Sequence, residues 1–356
     1  VNILDTYCPL AFGGFDTKSC AICCRINTKK GYYTFSEMNQ DPTIQELRQS
    51  LLNGIKHPAC KLCWDEEALG KISMRQEKLT LDDSTKVSLR HLVINSGNSC
   101  NLACRTCNAD QSSTHIIENT IKLKHDKDYY PIIKTDTNSL LTEDYSDIRH
   151  INVLGGEPFL NLEHTKVLEH IISIGKSSTC NLSYNTNATQ KISKKLINIF
   201  EQFESVGIVF SIDAIGEQFE YIRTGAIWSA TEDNIKNLLN LAVKKINFQV
   251  HITISALNVL YLTELCTWLE QHNLPYSYDI AYEPECYSFQ IFTDSQKKQL
   301  LETINIDKFG MVAKHIQQSN HNSKALEQFW QEIDWTNKYW QLDFNHYLPK
   351  LAKLLT

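Results

Sequence analysis

The sequence predicts an α/β fold, a partial (β/α)6 TIM barrel preceded by a small cysteine-rich module and followed by a helical extension. Three observations carry this expectation. From about His91 onward, short apolar strands alternate with amphipathic helical stretches, a pattern that implies right-handed crossovers and a parallel sheet. Polar, chemistry-bearing segments recur just after the strand ends, where α/β barrels place their functional groups. Cysteine is unevenly distributed, with nine of the twelve falling before residue 110.

The predicted strands are His91 to Asn95, His150 to Leu154, Asn181 to Asn185, Gly207 to Ile212, Phe248 to Ile254 and Ser277 to Tyr282. Between them lie helical stretches near Ser112 to Lys124, Leu162 to Ile174, Ser193 to Phe203, Ser229 to Lys245 and Leu260 to His272, several with apolar residues at i, i+3 and i+4. The first 75 or so residues carry one helix-like stretch, Ile44 to Asn53, ended by Gly54 and Pro58. A core that small needs a staple, and metal held by its cysteines would supply one. After about residue 290 the composition is helical, with Phe329, Trp330, Trp335, Tyr339 and Trp340 as anchors against the barrel. The expected division is therefore 1–78, 88–288 and 289–356.

At 356 residues, 42% hydrophobic and 21% charged, the chain has ordinary globular composition. No signal-peptide pattern is visible, and no apolar run reaches the roughly 20 residues that cross a bilayer. The expectation is a soluble, cytoplasmic protein whose clustered cysteines hold metal rather than disulfides. A net charge of −6 lacks the basic footprint of a nucleic-acid binder, leaving only a local patch at Lys122, Lys124 and Lys127.

Cys100, Cys104 and Cys107 form a C-x3-C-x2-C set just after the first predicted strand. It offers three thiolates to a 4Fe-4S cluster that has four corners, so one iron stays open to a small molecule. A zinc site with a fourth ligand elsewhere is the alternative. Gly155-Gly156-Glu157-Pro158 follows the second strand; its glycines permit close backbone approach, and Glu157 offers a charge-assisted hydrogen bond to an ammonium. In isolation this segment also reads as a turn before a helix. Asn185-Thr186-Asn187-Ala188-Thr189 closes the third strand with groups suited to ribose hydroxyls or to capping the next helix. Ser211-Ile212-Asp213-Ala214 ends the fourth, and Tyr221-Ile222-Arg223 follows, where an arginine fork suits a carboxylate or simply sits on a helix surface.

Taken in order at successive strand ends, these segments over residues 91 to 285 resemble the radical S-adenosylmethionine (SAM) superfamily. The resemblance implies that Cys100, Cys104 and Cys107 hold a 4Fe-4S cluster, and that Gly155, Gly156 and Glu157 receive the SAM amino group. It also implies that Ser211 and Arg223 engage the SAM carboxylate, that Asn187 lies near the ribose, and that Thr253, Ser255 and Asn258 complete the adenosine pocket. One departure is Thr106, which stands before Cys107 where many members have an aromatic residue.

Cys8-Pro9-Leu10-Ala11-Phe12, Cys23-Cys24, and Cys60-Lys61-Leu62-Cys63-Trp64 with Glu67, Gly70, Ser73 and Arg75 resemble the SPASM-like auxiliary-cluster module called a twitch domain. Well-studied relatives carry it after the barrel; here it comes first. The resemblance implies an auxiliary 4Fe-4S cluster on Cys8, Cys60 and Cys63, with Cys24 ahead of Cys23 and Cys20 as fourth ligand. A structural zinc knuckle is the alternative.

The function so implied is that of a radical SAM enzyme, oxidoreductase or transferase in type. Reductive cleavage of SAM gives a 5'-deoxyadenosyl radical, which takes hydrogen from a carbon of a peptide side chain or small polar metabolite. The auxiliary cluster would transfer electrons or bind substrate, and flavodoxin or ferredoxin would donate the first electron. A non-catalytic zinc or iron-sulfur binding module and an enzyme acting on a nucleotide or nucleic acid are the competing readings. Cys286, past the sixth strand, is a further catalytic possibility as a hydrogen or proton donor. Cys180 and Cys266 read as small buried hydrophobes, and the histidines read mostly as surface residues.

Overall fold

A computed structural model describes residues 5–26, 31–68, 70–80, 84–124, 132–133, 136–241 and 245–356. Lys127 of the basic patch, and residues 242–244 of the stretch predicted as helical up to Lys245, lie outside them. Among the described residues seven strands form one sheet: β1 Gly14–Asp16, β2 His91–Asn95, β3 His150–Leu154, β4 Asn181–Thr186, β5 Ser205–Ser211, β6 Ile246–Ile254 and β7 Tyr276–Ile280. Every pairing is parallel, and spatial order equals sequence order. A sheet that never reverses its order is a barrel wall rather than a doubly wound sheet. Among the described residues β1 and β7 do not pair, so the barrel is partial.

All six predicted strands are present, and β1 is an addition from the amino-terminal segment. Its three residues pair Gly14 with His91 and Asp16 with Val93, joining that segment to the barrel wall. The crossovers include helices Ser113–Leu123, Thr165–Ser173, Lys194–Phe200, Trp228–Leu239 and Leu262–Gln271. Ser112 and Ser193 cap two of them by accepting from backbone N–H groups of the first turn.

Alternation along the strands separates two environments. Leu92 and Ile94, Ile151 and Val153, Leu182 and Tyr184, Ile208 and Phe210, and Val250 and Ile252 are buried on the outward face beneath the helices. The inward face presents Asn152, Ser183, Gly207 and Asn247 to a cavity of about 590 Å³. That lumen has room for a ligand.

The carboxy-terminal helices pack over the strand-end loops, as their aromatic content predicts. Arg105 forks onto Glu118 with two 3.0 Å bonds and donates to Thr336 Oγ1 at 3.1 Å, while Trp335 Nε1 donates to Glu118 at 2.8 Å. This buried network fastens helix Ser323–Trp340 to the loop carrying Cys104 and Cys107. No helix among the described residues is long and apolar enough to cross a membrane.

Candidate functional site

The loop after β2 carries Cys100, Cys104 and Cys107, and both of its flanks are tied down by backbone. On one side Ser96 N donates to Leu154 O at 2.7 Å, Gly156 N to Gly97 O at 2.7 Å and Glu157 N to Ser99 O at 2.8 Å. On the other, Ala103 N donates to Thr224 O at 2.9 Å and Arg105 N to Ile222 O at 2.8 Å. Ser113 and Thr114 hydroxyls both donate to Cys100 O, at 3.1 and 2.8 Å. The spacing of the trio is thus turned into a fixed shape by neighbouring strand ends.

Gly155 and Gly156 have a visible reason to be glycine. Gly155 adopts φ +143°, and a Cβ there would come within 2.6 Å of Gly97 O; at Gly156 it would meet Ser99 O at 2.3 Å. Their backbone is pressed directly against the segment leading into Cys100.

Glu157 is completely buried, and its carboxylate accepts from Thr186 Oγ1 at 2.8 Å, Asn187 N at 2.7 Å and Phe159 N at 3.1 Å. Burial pushes its carboxyl upward, opposed by these donors and by Arg223. Within the chain it joins the ends of β3 and β4. Asn187 carries the tie onward: its Nδ2 lies 3.8 Å from Cys100 Sγ and donates to Asn101 Oδ1 at 3.2 Å.

Arg223 is placed beside the thiols. Its Nη1 lies 3.8 Å from Cys104 Sγ, and Nη2 stands 2.9 Å from Asp213 Oδ2. Yet among the described residues neither Arg223 Nε nor Asp213 Oδ2 has an aligned hydrogen-bond partner. Asp213 Oδ1 accepts from Thr253 N at 2.8 Å, and Asn258 Nδ2 donates to Asp213 O at 2.9 Å and Thr253 O at 2.8 Å. Ser255 is buried, its N–H on Asn258 Oδ1 at 2.7 Å. Ser211 lies at the end of β5, half-buried, in register with His251. The sequence-predicted residues therefore gather at the carboxy-terminal ends of β2 to β6.

Burial pushes the Cys104 thiol up to about 12, opposed by Arg223 and reinforced by Cys107 and Cys100. Cys100 and Cys107 are raised by burial as well. Thiols held this way ionise only when cationic charge joins them, as ligation to iron or zinc provides. The buried, unaligned atoms of Arg223 and Asp213 beside them suit a polar, charged ligand. The donor set therefore fits a cluster with a zwitterionic ligand next to it. Among the described residues no three His, Cys, Asp or Glu side chains converge on a position for a single metal ion.

At the other mouth, Cys23 and Cys24 line the lumen cavity together with the strand starts His91, His150, Asn181 and Ser205. Burial raises Cys8 to about 11 and Cys60 to about 12, and Cys8, Cys60 and Cys63 add to one another's charge. Cys23, also raised by burial, feels Cys8, Cys24 and Cys60, whereas Cys24 feels Asp16 and Arg25. Electrostatically, Cys23 lies closer to Cys8 and Cys60 than Cys24 does.

Glu67, Ser73 and Arg75 explain how this group is assembled. Arg75 forks onto Glu67 with two 2.9 Å bonds, donates to Tyr7 O at 2.8 Å and lies over the Trp64 ring. Ser73 Oγ donates to Glu67 at 2.5 Å. The network holds helix Lys61–Ala68, with Cys63, against the Tyr7–Cys8 backbone.

Cys286 is not brought to either site. It is buried near Glu332 and Lys122 beneath helix Ser323–Trp340, its thiol pushed up to about 12 by burial. Cys180 and Cys266 are buried in the apolar core. Three histidines differ from the surface role expected of most: His91, His115 and His164 are buried. Asp213 and Thr186 belong to the strand-end segments legible in the sequence, but their roles, and that of Asn101, come only from these contacts; the signal at Asp213 is an acidic residue at a strand end.

No protein-family profile matches the chain. It is 27% identical over 234 residues to an uncharacterized protein of Methanocaldococcus jannaschii, covering 63% of this chain and 70% of that one. Among solved structures, it is similar to native anSMEcpe with bound AdoMet at 15% identity, over 65% of this chain and 63% of that one, with a TM-score of 0.43. Streptococcus suis SuiB bound to S-adenosylmethionine matches at 15% identity over 81% of this chain and 66% of that one, with a TM-score of 0.38. SuiB bound to the precursor peptide SuiA matches at 14% identity over 80% and 66%, with a TM-score of 0.36. The chain thus spans less than two thirds of the length of these solved proteins.

Proposed function

We propose that this chain is a radical SAM enzyme with an auxiliary iron-sulfur cluster. The observation that carries the reading is the half-buried trio Cys100, Cys104 and Cys107 with the unaligned polar atoms of Arg223 and Asp213 beside it. Residues 1–78 form the auxiliary module, 88–288 the catalytic barrel and 289–356 its covering extension.

When bound, the cluster and SAM supply reductive cleavage of a sulfonium and hence a radical that removes hydrogen from a substrate carbon. The protein's part is to position and to shield. Cys100, Cys104 and Cys107 would hold the cluster, three thiolates to its four corners leaving a place for SAM. Arg223, held by Asp213, presents its guanidinium to a carboxylate, and Ser211 lies on the same strand-end face. Asn187 would lie toward the ribose, and Thr253, Ser255 and Asn258 would shape the adenosine side through their tie to Asp213. Gly155, Gly156 and Glu157 set the ammonium side: the glycines by close approach, and Glu157 by fixing Asn187.

The substrate enters the lumen of about 590 Å³, which is large enough for a small polar metabolite or a peptide side chain. Cys8, Cys23, Cys60 and Cys63 would hold the auxiliary cluster at the amino-terminal mouth, where its chemistry would be electron transfer or substrate binding. A flavodoxin- or ferredoxin-type donor supplies the first electron.

Anaerobic reconstitution tests the reading. It expects a brown protein with roughly 8 irons per chain, the sum for two four-iron clusters, and 5'-deoxyadenosine from SAM after dithionite reduction. Cys104→Ala should abolish that product. A colourless protein with stoichiometric zinc would sink the proposal.

A further inference from the structure

Four inward-facing side chains of β6 and β7 form a cluster that the SAM site does not use. His251 Nδ1 lies 3.0 Å from Ser277 Oγ, and His251 Nε2 lies 3.4 Å from Asp279 Oδ2. Gln249 Nε2 donates to Ser277 Oγ at 3.1 Å. A hydroxyl, an imidazole and a carboxylate in this sequence are a nucleophile or proton carrier, a base and an orienting group.

Its location is set by strand register. Asn247, Gln249, His251 and Thr253 share one face of β6, and Asn247 lines the lumen cavity. His251 is in register with Ser211 on β5 and Ser277 on β7, and Thr253 with Asp279. The cluster therefore stands between the cavity at the strand starts and the strand-end site of Asp213 and Arg223. A substrate reaching from one to the other passes it.

We propose that Ser277, His251 and Asp279 form a proton relay on the lumen wall, in which Ser277 touches a substrate whose reacting carbon bears a hydroxyl or amino group. It rests on the function proposed above, because it takes the lumen as the substrate's place. The step moves no electrons. The substrate O–H or N–H gives its proton to Ser277 Oγ as the Ser277 hydroxyl proton passes to His251 Nδ1. The product is a deprotonated substrate and an imidazolium paired with the Asp279 carboxylate. Asp279 is a positioning residue, keeping His251 in the tautomer with hydrogen on Nε2.

The groups facing His251 are Val209 and Ser211 from β5, Gln249 and Thr253 on its own strand, and Ser277 and Asp279 from β7. Arg25 of the cysteine-rich segment reaches Asp279 electrostatically. The Asp279 side chain is exposed, and the His251 ring, followed by Arg25, holds its carboxyl below its ordinary range. Asp279 is the charged group in direct reach of the ring, so its removal is the informative change.

The test is histidine-selective ¹³C and ¹⁵N NMR on the anaerobically reconstituted chain, with the His251 signal assigned by its loss in His251→Gln. The relay expects the neutral ring to carry its hydrogen on Nε2, with Nδ1 accepting from Ser277. Asp279→Asn should lower the fraction of that tautomer, and Asp279→Glu should restore it. An Nδ1–H tautomer, or a tautomer population unmoved in Asp279→Asn, overturns the relay. The wild-type tautomer decides even if the Asn variant fails to fold. Failure to form 5'-deoxyadenosine counts against the proposed function instead, and does not enter the histidine measurement.

Discussion

Glu157 accepts a 2.7 Å hydrogen bond from Asn187 N, and through this bond the end of β3 controls a residue that reaches Cys100. Three donors converge on the Glu157 carboxylate in a fully buried position. Glu157→Gln turns one acceptor oxygen into an NH2 group facing a donor. The variant should lose about 1–3 kcal/mol, the cost of an unsatisfied buried polar group, and bind less iron. Urea unfolding with iron analysis checks both; an unchanged midpoint and iron content would remove Glu157 from the support of the cysteine loop.

Gly156→Ala strikes the same loop from outside. Its Cβ would lie 2.3 Å from Ser99 O and 2.7 Å from Ser99 C, backbone atoms that yield only by moving the chain leading to Cys100. Overpacking of this kind costs about 1–3 kcal/mol, and iron at the trio should fall with it. Gly310→Ala, where nothing lies within 4 Å of the added carbon, is the control and should leave iron content unchanged.

The barrel was legible because each strand ends in a polar segment and is followed by a helical period, so fold and site positions emerge from one pattern. β1 was not, since three residues show no alternation and only pairing with β2 makes them a strand. The cysteine trio and Arg223 were legible as residue types at strand ends. Asp213 gains its role only from Arg223 folding back beside Cys104. His251 looked like an ordinary polar residue in the alternation Phe248 to Ile254; curvature of the sheet turns that polar face inward. Adjacent Cys23 and Cys24 differ in exposure, which composition does not encode.

That difference gives a sharp comparison of neighbours. Cys23 shares its electrostatic surroundings with Cys8 and Cys60, while Cys24 is exposed and faces Asp16 and Arg25. Cys23→Ala should lower the iron content from roughly 8 to about 4 per chain by loss of one four-iron cluster, and Cys24→Ala should leave it near the wild-type value. The reverse outcome would reassign the fourth ligand to Cys24.

His164 links acidity to the stability of the barrel. It is fully buried, with Nδ1 3.0 Å from Asn161 O and Nε2 2.9 Å from Tyr184 Oη. A carbonyl only accepts, so Nδ1 carries the hydrogen and Nε2 accepts from the Tyr184 hydroxyl. Burial lowers its pKa to about 4 from 6.5, against the opposing effect of the Asn161 bond. The folded value lies below the unfolded one, so the unfolded chain takes up the proton first as pH falls. The stabilisation is complete above pH 6.5 and is lost progressively toward pH 4, by up to about 3 kcal/mol. Chemical denaturation across that window should show the decline, and His164→Gln should flatten its part of it. An equal slope in the variant would assign the acid sensitivity to other groups.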